Sequence, residues 1–468
     1  MFILLLQAFF NVCIPDHKAD AFRLPFVEEA GLGNVFITYL LSGFSRWDAQ
    51  YFLHIALYGY THENTLAFFP LFPISLRGTT KIISTSFLGI LDELNCALIS
   101  GVFINSIFFA LSAVFLYKLT NCIFQSEILA LSSALTYCFN PASIFFSALY
   151  SESLFACLTF GGLWALERGN HFTGVIALSL SAAVRSNGVM SFGFVGYLLL
   201  KLHFKYRYKF THYYSPDFIH ILKTILVISI YAVIFIIPFA SYQLYCYLLF
   251  CTSYLPESDM PEVVADFVTK YDLKLPSDPS KWCSWNIPMS YSYIQSRYWD
   301  VGFLNYYVVK QVPNFLLAAP IFTIIILSFV KYFKQNKSAL WHLGLLPNQY
   351  DDVSDIYNCS RCCPYFLHIF FVTLFCAVFI HIQVLTRLLC SSSPVLYWIA
   401  ATALLPSNDR ARFKLLKESF FQGWFIDTLR FIKKLFYRSS VYGKIISCYF
   451  ISYFFVGTFL HVNFFPWT

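Results

Sequence analysis

The sequence predicts an all-α polytopic membrane protein with about eleven transmembrane helices. Hydrophobic residues make up 58% of the 468 residues and charged residues only 12%, roughly half the charged share of a soluble chain. The hydrophobic residues are grouped in runs long enough to cross a bilayer as helices. Basic residues gather in a few segments between these runs. The low charge content excludes an ordinary soluble enzyme, and the net charge of +7 gives no reason to expect nucleic-acid binding.

The apolar runs define the predicted spans in chain order. They cover residues 1–15, 66–89, 95–117, 127–149, 151–167, 172–200, 222–252, 313–332, 364–385, 390–406 and 443–461. The first run is shorter than the ~20 residues that a span needs and lacks a signal-peptide cleavage pattern, which predicts a clipped or tilted first helix. Prolines interrupt several runs. Such breaks are either ordinary kinks or the walls of polar cavities.

The basic segments predict the orientation of the chain in the membrane. Residues 201–209, 331–337 and 410–444 are rich in Lys and Arg and should face the cytoplasm. The domain prediction is a single membrane domain, 1–468, with non-cytoplasmic loops at 16–65 and 254–312 and a basic cytoplasmic loop at 407–443. The 254–312 loop is too aromatic for a disordered linker, so we expect it to be folded on the membrane surface.

The fourteen cysteines are scattered, mostly inside apolar runs, and are predicted to be small buried side chains rather than a disulfide framework. The only cluster lies at 359–363. It has no further ligands at zinc spacing, so no metal site is predicted.

Asp48 is the most informative residue of the chain. It lies among aromatic residues between the first two apolar runs, and a carboxylate at a membrane edge is costly unless it has a function. Residues 45–58 place Asp48, Phe52 and Ile55 on one helical face, as in a helix that lies in the interface plane. Two interpretations stay open: a general base, or the partner of Ser45 in a helix-capping box.

Arg46, Arg185 and Arg387 are candidate phosphate ligands. Arginines inside apolar runs are rare and face cavities or partners, and the guanidinium group binds phosphate oxygens through two hydrogen bonds. The alternatives are an ion pair with Glu152 or Asp300, or extension of Arg387 to the interface.

Other polar residues give weaker signals. Residues 150–153, which include Glu152, form a short connection expected on the cytoplasmic side or in a re-entrant dip. The aromatic and polar stretch 291–307 is typical of a sugar-binding surface or of an interfacial belt. Asp300, inside this stretch, is a second candidate carboxylate.

Several motifs together resemble the PIG-V family of glycosylphosphatidylinositol (GPI) mannosyltransferases. They occur in family order at residues 45–52, 67–73, 150–153, 184–188, 291–295, 298–303, 310–320, 383–387, 391–394 and 465–468. Members of this family begin further upstream, which is a second reason to expect a clipped first span.

The resemblance implies a GT-C type glycosyltransferase with interfacial helices in its first lumenal loop. It implies a multi-pass enzyme of the endoplasmic reticulum membrane, with its active site on the lumenal side. The donor would be dolichyl-phosphate-mannose and the acceptor the lipid-borne GPI precursor, mannosyl-glucosaminyl-acyl-phosphatidylinositol, which would receive its second mannose through an α-1,6 bond with inversion. No cofactor is implied beyond the lipid donor. The sequence decides neither a divalent metal requirement nor a partner subunit.

The same resemblance transfers site roles to residues of this sequence. Asp48 would be the catalytic base. The residues expected to bind substrate are Arg46, Trp47, Glu63, Arg185, Asn187, Tyr293, Gln295, Asp300, Gln383 and Arg387. The alternatives are another dolichyl-phosphate-sugar transferase, a membrane transporter or lipid scramblase, and a structural subunit. The sequence shows no inverted repeat, which counts against a transporter.

Overall fold

All regular secondary structure in the described part of the chain is helical. The computed structural model describes residues 2–465 except 20, 27–30, 88, 211–217, 253–259, 277, 279, 338–340, 342, 346–354 and 407–425. Its α-helices are α1 Phe2–Cys13, α2 Leu32–Leu41, α3 Asp48–Tyr58, α4 Leu71–Ser86, α5 Glu93–Phe124, α6 Glu127–Cys138, α7 Ser143–Ser147, α8 Glu152–Glu167, α9 His171–Val184, α10 Phe192–Phe210, α11 Phe218–Cys251, α12 Glu262–Lys270, α13 Ser290–Trp299, α14 Val312–Gln335, α15 Cys363–Phe379, α16 Val384–Ser392, α17 Pro394–Leu404, α18 Ile426–Arg438 and α19 Val441–Val462. Short 3₁₀ turns connect several of them. The prediction of an all-α membrane protein is confirmed.

Fewer helices than predicted are long enough to cross a membrane unaided. Within the described ranges, five helices satisfy length and hydropathy, and a sixth span results if the bent pair α16–α17 is counted as one. The count of about eleven is therefore not confirmed. Several of the predicted apolar runs are divided into shorter helices, because polar or proline residues interrupt the backbone hydrogen bonding.

The interruptions lie at four places. The run 127–149 ends as a helix at Cys138, before Asn140, and resumes as the short α7. The run 172–200 breaks where Arg185 adopts an extended backbone. The chain also leaves helical geometry at 380–383, and between α16 and α17 it bends by 87°. A run of apolar residues does not reveal such breaks, because composition is insensitive to them.

The segment before α8 turns back into the protein at the level of the first loop. Leu149 N donates to Phe44 O at 3.1 Å, and Asn105 of α5 donates to the carbonyl oxygens of Ala148 and Tyr150. The connection 150–153 therefore lies beside the loop that carries Asp48.

The opposite end of the bundle is held by a second set of polar contacts. Arg361 pairs with Glu167 at the end of α8, with 2.8 Å between Nη2 and Oε2, and its Nη1 donates to Ile123 O at the end of α5. Tyr365 OH donates to the other oxygen of Glu167 at 2.9 Å. Helices α5 and α8 thus run side by side from the level of Asp48 to this opposite end.

The 254–312 loop, over its described residues, is folded against the first loop. Glu63 is buried and accepts hydrogen bonds from Ser280 Oγ, Trp282 Nε1 and Tyr298 OH. A disulfide joins Cys251 at the end of α11 to Cys283, which corrects the expectation that the cysteines are only buried side chains. Cys251 lies at the end of an apolar run, where a cysteine is expected to be a buried side chain. Its position in the sequence therefore gave no indication of a disulfide with Cys283.

The predicted cytoplasmic loop 407–443 is described only from residue 426 onwards. Residues 407–425 lie outside the described residues. Helix α18 buries Phe431 and Leu435 and exposes Lys433 and Arg438. The described part of this loop therefore includes an amphipathic basic helix.

Candidate active site

Asp48 begins α3, and its position is set by the backbone around it. Trp47, the residue before the helix, has a φ of 56°, in the left-handed region that is uncommon for a bulky residue. The Asp48 N–H donates to Tyr150 OH at 3.1 Å, and this hydroxyl donates to Arg46 O at 3.2 Å. These contacts anchor the start of the helix, so the Asp48 side chain is not needed for that purpose.

The helix-capping alternative for Asp48 is not realised. No side chain caps α3, and Ser45 Oγ donates to Ser42 O at 2.8 Å instead. The Asp48 carboxylate points towards Arg387, whose Nη1 donates to Oδ2 at 3.0 Å. The carboxylate is 30% exposed and borders a cavity. The carboxylate is therefore accessible to a molecule bound in this cavity.

Glu152 links Arg185 and Arg387. It is the first residue of α8 and is completely buried. Its Oε1 pairs with Arg185 Nη1 and also lies 3.1 Å from Arg387 Nε. The ion-pair alternative for Arg185 is thus correct, and charge alternates along the row Arg185, Glu152, Arg387 and Asp48. The four charges sum to zero.

Arg387 is held by aromatic rings as well as by charge. It lies on α16, directly after the break at 380–383, and only 9% of the residue is exposed. Its guanidinium carbon is 5.3 Å from the centre of the Phe145 ring and 5.5 Å from that of Tyr150, within the range of cation–π attraction. The charged end of this arginine therefore has a defined position inside the protein.

The cavity beside these residues has a volume of about 640 Å³ and two kinds of wall. One wall is apolar, with Val372, Phe375 and Phe379 of α15. The other carries Arg185, Arg387 and Asp48 together with amide side chains and His381. Burial lowers the pKa of His381, which favours the neutral imidazole. Such a cavity suits a ligand with a lipid part and a polar, anionic head.

Three predicted amide residues line the same cavity. They are Asn187, Gln295 and Gln383. Neither side-chain amide atom of Asn187 has a hydrogen-bond partner in the described structure, and the same is true of Gln383 Oε1. Buried amide groups without partners are costly. They are therefore suited to bind hydroxyl groups of a ligand.

Arg46 and Trp47 face away from the cavity. Arg46 pairs with Asp16 at 3.2 Å and donates to Asn11 Oδ1 at 2.9 Å and to Val462 O at 3.1 Å. Trp47 packs on Phe464, and its buried Nε1 has no partner in the described part of the chain. The structure thus places Arg46 at the junction of the first loop with the end of α19.

The remaining predicted residues also lie outside the cavity lining. Glu63 is enclosed by its three hydrogen bonds to the 254–312 loop. Tyr293 contacts Trp285. Asp300 is exposed in a left-handed conformation after α13. Of the three, Glu63 connects the 254–312 loop to the first loop.

Sequence reasoning gave too little weight to Glu152 and Tyr150. Both belong to the 150–153 motif, which the expected topology left on either side of the membrane. The signal that could have found them was the breaker Asn140-Pro141 upstream, since a broken span often returns into a polar cavity.

Comparison with known proteins identifies the family. The family model described as "Mannosyltransferase (PIG-V)" matches residues 1–468. The chain is 36% identical to GPI alpha-1,6-mannosyltransferase 2 of Cricetulus griseus and of Homo sapiens, over 99% of this chain and 96% of each relative. It is 33% identical to GPI mannosyltransferase 2 of Drosophila melanogaster, over 100% of this chain and 97% of that protein.

Among solved structures, the oligosaccharyltransferase of Archaeoglobus fulgidus matches with a TM-score of 0.37 and 12% identity, over 100% of this chain and 56% of that chain. The family match and the relatives both extend over almost the whole sequence, and the chain therefore belongs to the PIG-V family of mannosyltransferases, which are membrane-embedded glycosyltransferases.

Proposed function

We propose that this protein transfers mannose from dolichyl-phosphate-mannose to the GPI precursor mannosyl-glucosaminyl-acyl-phosphatidylinositol, forming an α-1,6 bond to the second mannose. The observation that carries the proposal is the juxtaposition of Asp48 and Arg387 at 3.0 Å in a cavity with an apolar wall. The names of the relatives support the linkage and the acceptor class.

The proposed reaction is a single displacement with inversion at the anomeric carbon. The acceptor 6-hydroxyl oxygen attacks C1 of the donor mannose, and Asp48 takes the hydroxyl proton. Positioned general bases of this kind contribute about 10²–10⁴-fold to the rate. The C1–O bond to phosphate breaks, and the phosphate leaves with the bonding electron pair.

Arg387 and Arg185 are the proposed partners of the donor phosphate. Phosphate is a good leaving group and requires stabilisation of charge rather than a proton, and fixed guanidinium groups provide this in a water-poor site. The apolar wall of α15 would contact the first part of the dolichyl chain. No second carboxylate acting as an acid is required, in contrast to glycoside hydrolysis.

Sugar hydroxyls are the proposed ligands of the amide groups. Asn187, Gln295 and Gln383 border the cavity, and two of them have unpartnered atoms. Arg46, Trp47, Glu63 and Tyr293 have other contacts, and Asp300 is exposed outside the cavity lining. The roles of all five in binding substrate stay predictions.

We further propose that the site faces the lumen of the endoplasmic reticulum. The Cys251–Cys283 disulfide lies in the loop that packs on the site, and disulfides persist in oxidising compartments. The basic segment 331–337 belongs to the opposite end of the bundle, where Asn336 Nδ2 donates to Tyr357 O. Both observations support this orientation.

The test is transfer by the purified full chain in lipid nanodiscs. We expect mannose transfer from dolichyl-phosphate-mannose to a synthetic acceptor with one mannose, with an α-1,6 linkage assigned by NMR. Dolichyl-phosphate-glucose and GDP-mannose serve as competing donors. Transfer from either of these donors alone, or to a different hydroxyl, would replace the proposal with another transferase.

A further inference from the structure

Glu152 has a position that direct contact with a substrate does not explain. It is completely buried and is not among the residues that line the cavity. Both arginines of the cavity nevertheless pair with one of its oxygens, Oε1, while Oε2 has no partner in the described structure. A buried carboxylate that binds two cations through one atom acts by fixing the positions of those cations.

Arg387 contacts Glu152 and Asp48 with different nitrogen atoms. Its Nε lies 3.1 Å from Glu152 Oε1, and its Nη1 donates to Asp48 Oδ2 at 3.0 Å. No hydrogen bond or ion pair to the described residues uses Nη2. The planar guanidinium group can therefore keep one edge on Glu152 while the other edge changes its partner.

Extending the function proposed above, on which this inference rests, we propose that Glu152 is a positioning residue that holds Arg387 between Asp48 and the donor phosphate. From this position Arg387 binds the Asp48 carboxylate before the reaction. It then binds the leaving phosphate, which gains a negative charge as Asp48 loses its own.

The charge balance of the reaction explains why one arginine serves both groups. As the C1–O bond to phosphate breaks, the phosphodiester with one negative charge becomes a phosphomonoester with two. Asp48 meanwhile gains the hydroxyl proton and loses its negative charge. The total charge is unchanged, and Nη1, released by the neutral Asp48, joins Nη2 in binding the phosphate oxygens.

The surroundings of Arg387 limit its movement during this exchange. The rings of Phe145 and Tyr150 lie near its guanidinium group, and Nε is in ion-pair contact with Glu152 Oε1 at 3.1 Å. A cation that is already in place stabilises developing charge without reorganisation. Displacement of such a group by about 1 Å costs on the order of 100-fold in rate.

The experiment compares Glu152→Gln with Glu167→Gln in the full chain in nanodiscs. Glu167 is the matched control because it is the last residue of the same helix and pairs with Arg361 at 2.8 Å and Tyr365 at 2.9 Å, away from the cavity. The measurements are kcat and KM against pH, and inhibition by the product dolichyl phosphate.

For Glu152→Gln we expect a kcat lower by roughly 10- to 100-fold, because Arg387 is no longer held. The loss of one negative charge leaves excess positive charge beside Asp48. The acidic limb of the profile of kcat against pH should therefore shift to lower pH by roughly half a unit or more. For the same reason, dolichyl phosphate should inhibit more tightly, by about threefold or more. Glu167→Gln should change none of these quantities.

Glu152→Asp separates charge from position and also serves if the glutamine variant does not fold. It keeps the charge but is one methylene shorter, so the acidic limb should return to that of the wild type while kcat stays low. A wild-type kcat in Glu152→Asp would overturn the inference. So would Glu152→Gln kinetics that equal those of Glu167→Gln.

The failure of the inference is distinguishable from failure of the proposed function. If the unmodified chain transfers no mannose from dolichyl-phosphate-mannose, the function itself is wrong. If it does transfer mannose and Arg387→Lys retains wild-type kcat, only the inference is wrong, since lysine cannot contact Glu152 and Asp48 through separate nitrogen atoms.

Discussion

Asp48→Asn tests the proposed base without changing the shape of the site. The asparagine Oδ1 can still accept the hydrogen bond that Arg387 Nη1 makes at 3.0 Å. Its amide group cannot take a proton from the acceptor hydroxyl. The anchoring of α3 depends on the backbone N–H of residue 48 and on Tyr150 OH, and the substitution leaves both in place.

The structure predicts a large effect of Asp48→Asn on activity and a small effect on stability. Loss of a general base lowers kcat by about 10²–10⁴-fold. The Asp48 side chain is 30% exposed, and partly exposed ion pairs contribute only about 0–1 kcal/mol. Arg387 also keeps Glu152 as a partner. We therefore expect the unfolding midpoint to fall by no more than about 2–4 °C.

The assay measures mannose transfer and thermal unfolding on the same nanodisc preparation. Asp16→Asn is the matched control, because Asp16 pairs with Arg46 at 3.2 Å and is 38% exposed, outside the cavity. It should keep its activity. Asp48→Glu moves the carboxylate by one methylene and should also lose nearly all transfer. Retention of more than about a tenth of the activity by Asp48→Asn would refute the base assignment, and a midpoint loss above about 10 °C would indicate a structural role.

Three further predictions concern the loop, the pH and metal ions. Reduction of the Cys251–Cys283 disulfide, or its replacement by serines, should destabilise the protein by about 2–4 kcal/mol, because it closes a 32-residue separation; an unchanged midpoint in reducing buffer would contradict this. Burial lowers the pKa of His54 to about 3 and that of His62 to about 4, so both are neutral in the folded protein, and stability that is complete above pH 6.5 should decline as the pH falls towards 4. His54→Gln with His62→Gln should flatten this decline, which unfolding midpoints across the pH range would measure. Because Arg185 and Arg387 supply positive charge at the cavity, transfer should persist in EDTA; loss in EDTA that Mn²⁺ or Mg²⁺ restores would show a metal requirement.

The sequence was sufficient for the fold class but not for the number of spans. Composition alone excludes a soluble globular protein, because 58% hydrophobic residues are more than a soluble chain of this size can bury. Helix lengths depend on local breaks such as the extended Arg185 and the 87° bend between α16 and α17. A hydropathy window averages over such breaks and therefore counts too many full spans.

The sequence predicted only part of the candidate site. Asp48, Arg185 and Arg387 were identified because charge in apolar surroundings is costly without a partner or a task. Arg46 was a candidate on the same grounds, but in the structure it pairs with Asp16. The sequence around Arg46 does not distinguish it from the arginines of the cavity. Residues distant in the chain determine which arginine faces the cavity.

Residue type and local order were enough to predict the membrane class, the family resemblance and the importance of Asp48. Three features became evident only in the folded chain: Ser45 does not cap the helix that begins at Asp48, Cys251 pairs with Cys283, and Glu152 contacts two arginines. Residues 48 and 387 meet at 3.0 Å although 339 positions separate them in the chain. Contacts of this kind depend on how the broken helices pack, and no local pattern records that packing.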